Sequence, residues 1–90
     1  MAALPTGTKL FHTVMGNMQV GAYTFTGNGS GTTFSAPVDT VHVAWINPRA
    51  DQAGTTNLCT YSGNTITVKE GASESAMAAS STFDIIYIGQ

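Results

Sequence analysis

Charge is what this chain has least of. Only eight of its 90 residues are charged: Lys9, Arg49 and Lys69 against Asp39, Asp51, Glu70, Glu74 and Asp84, for a formal net charge of −2. Soluble domains are about one-quarter charged, so this surface has little electrostatic protection against sticking to its neighbours. That suits a subunit whose surface is covered in an assembly. Three basic residues cannot build the Lys/Arg patch that phosphate contacts need, which argues against nucleic acid as a partner. Cysteine is equally scarce. Cys59 stands alone, so no intramolecular disulfide can form, and without a His or basic neighbour in sequence it reads as a small buried hydrophobe. No run of ~18 apolar residues exists to span a membrane. Met1–Pro5 lacks a basic n-region and a long apolar h-region, so the expectation is no secretory signal and synthesis in a cytosol.

Catalytic and ligand-binding patterns are missing as well. His12 and His42 sit in no metal-spaced motif and read as strand residues that pack or hydrogen-bond. The serines lack a nucleophile elbow or any other positional cue for a triad. Four of the five carboxylates fall in or beside turns, where they solvate the chain more readily than they form a glycosidase pair. Gly27–Gly31 lacks the Lys-Ser/Thr and the following helix of a phosphate loop, and no loop alternates Asp and Asn as a calcium site would. The expectation is no enzyme, with no catalytic residue, cofactor or metal.

Ser, Thr, Gly, Ala and Asn fill the chain, interleaved with β-branched and aromatic residues. Thr8 to Met15 reads as a strand closed by Gly16-Asn17. Met18 to Thr26 alternates, with Val20, Ala22 and Thr24 on one face and Gln19, Tyr23 and Phe25 on the other. Gly27–Gly31 then supplies positive-φ residues for a reversal, and Thr32 to Ser35 is expected to return beside the previous strand as a hairpin. Pro37 precedes the most apolar strand, Val38 to Ile46, with Val41, Val43 and Trp45 on one face and His42, Ala44 and Ile46 on the other. Asn47-Pro48 is expected to end it. Arg49 to Thr56 reads as a polar loop. Leu58 to Tyr61 and Thr65 to Lys69 form a hairpin across Ser62-Gly63-Asn64, with Ile66 and Val68 inward. Glu70 to Ser81 is read as a loop with one helical turn at most. Thr82 to Ile88 closes the pattern, with Phe83, Ile85 and Tyr87 opposite Ile86 and Ile88. A strand so apolar is expected to be paired on both edges.

The fold class is therefore all-β, a small sandwich or barrel of six to seven short antiparallel strands. Residues 8–90 form one domain and residues 1–7 an N-terminal arm with no strand partner demanded by the pattern. Val41, Val43, Ile66, Val68, Phe83 and Ile85 are the expected core. A chain of 9.3 kDa buries only about 60–65% of its unfolded surface, so the core is thin and gains from oligomerisation. Both faces of the two most apolar strands are apolar, and a single layer cannot hide both. Trp45, Ile46, Ile86, Ile88, Tyr23 and Phe25 are the interface candidates, Trp45 being open to either a core or a contact role.

The alternating Thr/Gly/Ala-rich strands, the segment Tyr23–Gly31 (YTFTGNGSG) and the ending Thr82–Gln90 (TFDIIYIGQ) resemble small β-structured virion proteins of tailed bacteriophages, the head decoration (cement) proteins and fibre modules. The resemblance covers most of the chain but carries no diagnostic motif, so no functional residue transfers. It implies a non-enzymatic structural protein on the capsid surface, a homo-oligomer and most concretely a trimer, with the major capsid protein or another virion protein as partner. The alternative is a receptor- or glycan-binding module of a tail fibre, in which the aromatics stack sugars.

Overall fold

Gly-Asn occurs three times in the chain, and two of the three pairs close hairpins. The computed structural model describes residues 3–50, 57–70, 76, 79 and 81–90. Its strands are β1 (Thr8–Met15), β2 (Met18–Thr26), β3 (Thr33–Ser35), β4 (Val41–Ala50), β5 (Asn57–Ser62), β6 (Thr65–Glu70) and β7 (Thr82–Gly89), and no helix occurs among the described residues. Gly16 (φ 64°) with Asn17 turns β1 into β2, and Gly63 (φ 59°) with Asn64 turns β5 into β6, each as a two-residue loop. Glycine supplies the positive φ that matches such a loop to the twist of its strands.

The third pair behaves differently. Asn28 Oδ1 accepts hydrogen bonds from the backbone N–H of Ser30 (3.0 Å) and Gly31 (2.7 Å), while Gly29 takes φ 82°. The side-chain oxygen thus organises a wider bend, and β3 leaves the sheet of β2 altogether. The expected 18–35 hairpin is a crossover between sheets. One sheet has the order β1-β2-β7-β4 and the other β3-β6-β5, all neighbours antiparallel. The all-β expectation holds in its sandwich form, and β7 is paired on both edges, by β2 and β4.

Between the sheets lie Phe83, Ile85 and Tyr87 of β7, Ile66 and Val68 of β6, Phe25, Val41, Ala44 and Val38, with Tyr23, Phe34, Ile46 and Cys59 packed against them. The rings of Tyr23, Phe25, Phe34, Phe83 and Tyr87 pack together, with neighbouring centroids 5.0–6.4 Å apart. Burial in this core pushes the Cys59 thiol up to about 11, leaving it the inert apolar group its surroundings predict. Five of the six expected core residues are buried; Val43 is not, being 39% exposed.

A bulge explains the exception. Val41 pairs with Gly89 but Val43 pairs with the next residue, Ile88, so β4 spends one residue more than β7. One extra residue flips every later side chain to the opposite face. Val41 points inward before the bulge, and Ala44 and Ile46 point inward after it. Val43 and Trp45 are turned out. The strand also starts later than expected, at Val41, and runs through Asn47-Pro48 to Ala50. Within its sheet β4 pairs only with β7 among the described residues, and an edge strand tolerates a proline that cannot donate.

The arm is not free. Leu4 is 8% exposed within the core, its N–H donates to the Thr33 carbonyl at 2.8 Å, and Ala3 forms a parallel bridge with Thr33. It crosses so close to Gly31 that a Cβ there would collide with the Ala3 carbonyl oxygen. Asp51, Glu74, the side chain of Glu70 and most of the expected loops at 49–56 and 70–81 lie outside the described residues.

Candidate functional site

Residues paired across an antiparallel ladder share a face, so the registers define what each sheet shows to the outside. On the four-stranded sheet two rows run from edge to edge. One reads Thr13, Val20, Ile88, Val43, and the other Phe11, Ala22, Ile86, Trp45. Met15 and Met18 extend the surface at one end. Phe11, Met15, Val43 and Trp45 are 39–64% exposed, and Val20, Ile86 and Ile88 are half-buried beside them. Contiguous apolar surface beyond a few hundred Å² marks an interaction site on a soluble protein. Its aromatic and methionine content is that of an interface centre.

A polar row borders it: Thr8, Thr24, Asp84 and Asn47. Asp84 is only 5% exposed. Asn47 Nδ2 donates to its Oδ2 at 3.1 Å and Arg49 Nε donates to the same oxygen at 3.0 Å. The Nε also lies 2.9 Å from Oδ1, but Oδ1 takes no aligned hydrogen bond. Burial alone would raise this carboxyl. Hydrogen bonds from Asn47 and Arg49, then the neighbouring Thr24 hydroxyl and the charge of Arg49, outweigh burial and hold it below the ordinary aspartate range. Asp84 and Arg49 neutralise each other, so the face carries no net charge at its border.

The outer face of the three-stranded sheet has a different chemistry. Its rows are Thr33, Thr67, Thr60 and Ser35, Thr65, Ser62, hydroxyl side chains from edge to edge.

The six interface candidates divide evenly. Trp45, Ile86 and Ile88 stand on the apolar outer face, where the pairing Trp45↔Ile86 brings two of them together. Phe25 is 4% exposed and belongs to the core; the pleat parity of β2 turns it toward the second sheet, so it is withdrawn as an interface residue. Tyr23 and Ile46 share that inward side and pack against the core. β1, read from its sequence simply as a strand, supplied none of these candidates. It overhangs the smaller sheet, and Leu10, Phe11, Val14 and Met15 are all 45–64% exposed. The signal was in the sequence: four large apolar residues spread over both parities of one strand.

His12 ties this strand to the interior. Its Nδ1 lies 2.7 Å from the buried Tyr87 hydroxyl and its Nε2 lies 2.9 Å from Gln19 Oε1. Gln19 Oε1 can only accept, so Nε2 carries the proton and Tyr87 donates to Nδ1. Burial first, then the Tyr23 side chain, pushes the Tyr87 phenol up to about 12. His42 Nε2 meets Gln90 Oε1 at 3.1 Å. A cleft of about 300 Å³ opens between the arm and the sandwich, bordered by Leu4, Pro5, Gly7, Tyr23 and Phe34. No helix among the described residues is long and apolar enough to cross a membrane, and no group of three or more His, Cys, Asp or Glu side chains among them could hold a metal ion. Comparison with protein-family models, with curated proteins and with solved structures finds no match to this chain.

Proposed function

We propose that this protein is a non-enzymatic structural subunit of a virus particle, a capsid-decorating protein that binds the assembled shell through the outer face of its four-stranded sheet. The observation that carries the reading is that face: two rows crossing all four strands, apolar at every position but Thr13 on β1, bordered by a self-neutralised Asp84–Arg49 pair. The scarcity of charge elsewhere and the resemblance to phage virion proteins supply the context. A protein that binds only the assembled shell stabilises it by its binding free energy, repeated over many copies. No chemistry is needed for that role. The major capsid protein is the expected partner, and the capsid surface, after synthesis in the host cytoplasm, is the place of action.

The fibre-tip reading draws less support. It needs exposed aromatic rings beside polar groups that bond sugar hydroxyls, whereas Tyr23, Phe25, Phe34, Phe83 and Tyr87 pack against one another between the sheets. The exposed Phe11 and Trp45 stand opposite Ala22 and Ile86 on the apolar face. Co-sedimentation with mature, expanded capsids tests the proposal. The protein is expected to bind and to raise the capsid melting temperature, and Ile86→Asp is expected to abolish both. Absence of binding, together with a hit on a glycan array, would replace this reading with the fibre module.

A further inference from the structure

We infer that β1 is a self-pairing edge: two copies of this chain join their β1 strands antiparallel about a two-fold axis at Thr13, extending the four-stranded sheet to eight strands. This rests on the assembly reading above, for which a paired subunit presents a doubled apolar face.

The argument begins with the sheet edges. Long, exposed, apolar edges invite pairing, and proteins blunt them with proline, bulges, charge or a covering segment. The edge of β3 is occupied by the arm through the Ala3–Thr33 bridge. The edge strand β4 contains Pro48 and two register shifts, and β5 lies alongside it. β1 has none of the stronger defences. Among the described residues it pairs with β2 alone, it holds no proline, and its one charge, Lys9, and its one bulge, between Lys9 and Phe11, both lie at its start.

Beyond that bulge, Phe11–Met15 is a regular strand, and it is complementary to itself. A two-fold axis at Thr13 sets Phe11 opposite Met15 of the other copy, His12 opposite Val14, and Thr13 opposite Thr13. Each pair lies on one face, because Phe11, Thr13 and Met15 share the outer side and His12 and Val14 the inner one. The partners suit each other: a thioether against an aromatic ring twice, and a Thr–Thr pair at the centre. Lys9 falls outside the paired segment, so no like charges meet. Met15 and Val14, each 64% exposed, and Phe11 all gain cover. The occupant that fits is a second β1, and its symmetry is two-fold where the phage resemblance implied three. An interface confined largely to one strand falls at the small end of specific interfaces, below about 1,200 Å² in total, so the pair is expected at micromolar concentrations.

Disulfide trapping of the full-length chain tests both the pairing and its register. In a Cys59→Ala background, Thr13→Cys places two thiols across the axis at cross-strand distance, within reach of a disulfide after small adjustment. Mild oxidation is expected to give a covalent dimer at least tenfold faster than for Phe11→Cys or Val43→Cys, whose counterparts lie away from the axis. Independently, Thr13→Lys sets like charges face to face. Sedimentation at tens of micromolar is expected to show the parent as a dimer and this variant as a monomer with an unchanged circular dichroism spectrum. A monomeric parent, a Thr13→Lys chain that still dimerises, or equal trapping at position 43 would overturn the inference. A monomer that still binds capsids would overturn the pairing and leave the proposed function standing; a dimer indifferent to capsids would do the reverse.

Discussion

The outer face of the four-stranded sheet carries Val20, Val43, Trp45, Ile86 and Ile88 where that of the three-stranded sheet carries Thr33, Ser35, Thr60, Ser62, Thr65 and Thr67. Valine and threonine are close in shape, and both favour strands because both branch at Cβ. The smaller sheet shows that this fold builds a strand with hydroxyls outward. The larger sheet could have used them too. Its apolar outer rows are therefore surplus to strand formation, and in the proposed function what they add is a surface for another molecule to cover. Fold stability should reside between the sheets and association on one outer face, a division that substitutions can break.

The largest effect should come from inside. Phe83 is fully buried against Phe25 on the inner side of β7. Phe83→Ala should cost about 3–5 kcal/mol, leaving a cavity the aromatic cluster cannot close. At roughly 4–8 °C per kcal/mol for a domain of this size, thermal unfolding should fall by tens of degrees. Ile86→Thr, three residues along the same strand but outward, should cost under about 1 kcal/mol. Comparable costs for the two would show that the outer rows belong to the folding core, and the contrast between the faces would collapse.

Gly21 gives the next effect. A Cβ at this position would collide with the Tyr87 hydroxyl and sit 3.0 Å from His12 Nδ1. Gly21→Ala should therefore displace the Tyr87–His12 hydrogen bond and cost about 1–3 kcal/mol as local overpacking. Hydrogen exchange should quicken in β1 more than in β6, because His12 fastens the overhanging strand to the core.

Asp84 sharpens the comparison from the border of the apolar face. Its carboxylate accepts from Asn47 and Arg49, and removing it in Asp84→Ala should cost about 1 kcal/mol, the net worth of the bond from Asn47, which is exposed and turns to water when the acceptor is gone. The half-exposed Arg49 is screened by solvent and adds little. The sign of the pH dependence follows from the lowered carboxyl. A group whose folded value lies below its unfolded one contributes stability above the unfolded value and loses it as pH falls through the folded value. The melting temperatures of the parent and of Asp84→Asn should thus converge on acidification below the ordinary aspartate range.

Much of this architecture was legible in local pattern. The alternation of β2 and β7, the Gly63-Asn64 hairpin and the inward Ile66 and Val68 all follow from spacing and turn chemistry. What escaped reading depended on partners distant in sequence. The bulge that turns Val43 outward is a property of the β4–β7 register, set by residues some 45 positions apart, and no local period reveals it. Asn28 looks like its two counterparts at 17 and 64, yet its side chain bonds Ser30 and Gly31 and sends the chain to another sheet. The exposure of β1 arises from unequal sheet widths, four strands over three. The outward side of Ile86 and Ile88 was legible because it lies opposite Phe83, Ile85 and Tyr87. Trp45 was grouped with Val41 and Val43 and faces outward only through the bulge, and Phe25 shows that an aromatic on an alternating strand reads equally well as core or contact.

The smallest effect on stability should come with the largest effect on behaviour. Trp45→Thr gives the apolar face one residue of the other face's chemistry, and Thr67→Val does the converse on β6. Trp45 is 44% exposed at the end of a row, and Thr67 is partly exposed between Thr33 and Thr60. Neither change opens a core cavity or buries a charge, so each should shift unfolding by only about 0.5 kcal/mol. Their association should part in opposite directions. Trp45→Thr removes the largest ring on the face proposed to dock, and binding to capsids should weaken at least tenfold, the loss typical of an aromatic anchor worth over about 1–2 kcal/mol. Thr67→Val should leave capsid binding untouched, since a single added apolar residue among hydroxyls makes no contiguous patch. Capsid binding that survives Trp45→Thr but fails with Thr67→Val would exchange the roles of the two faces and assign docking to the hydroxyl rows.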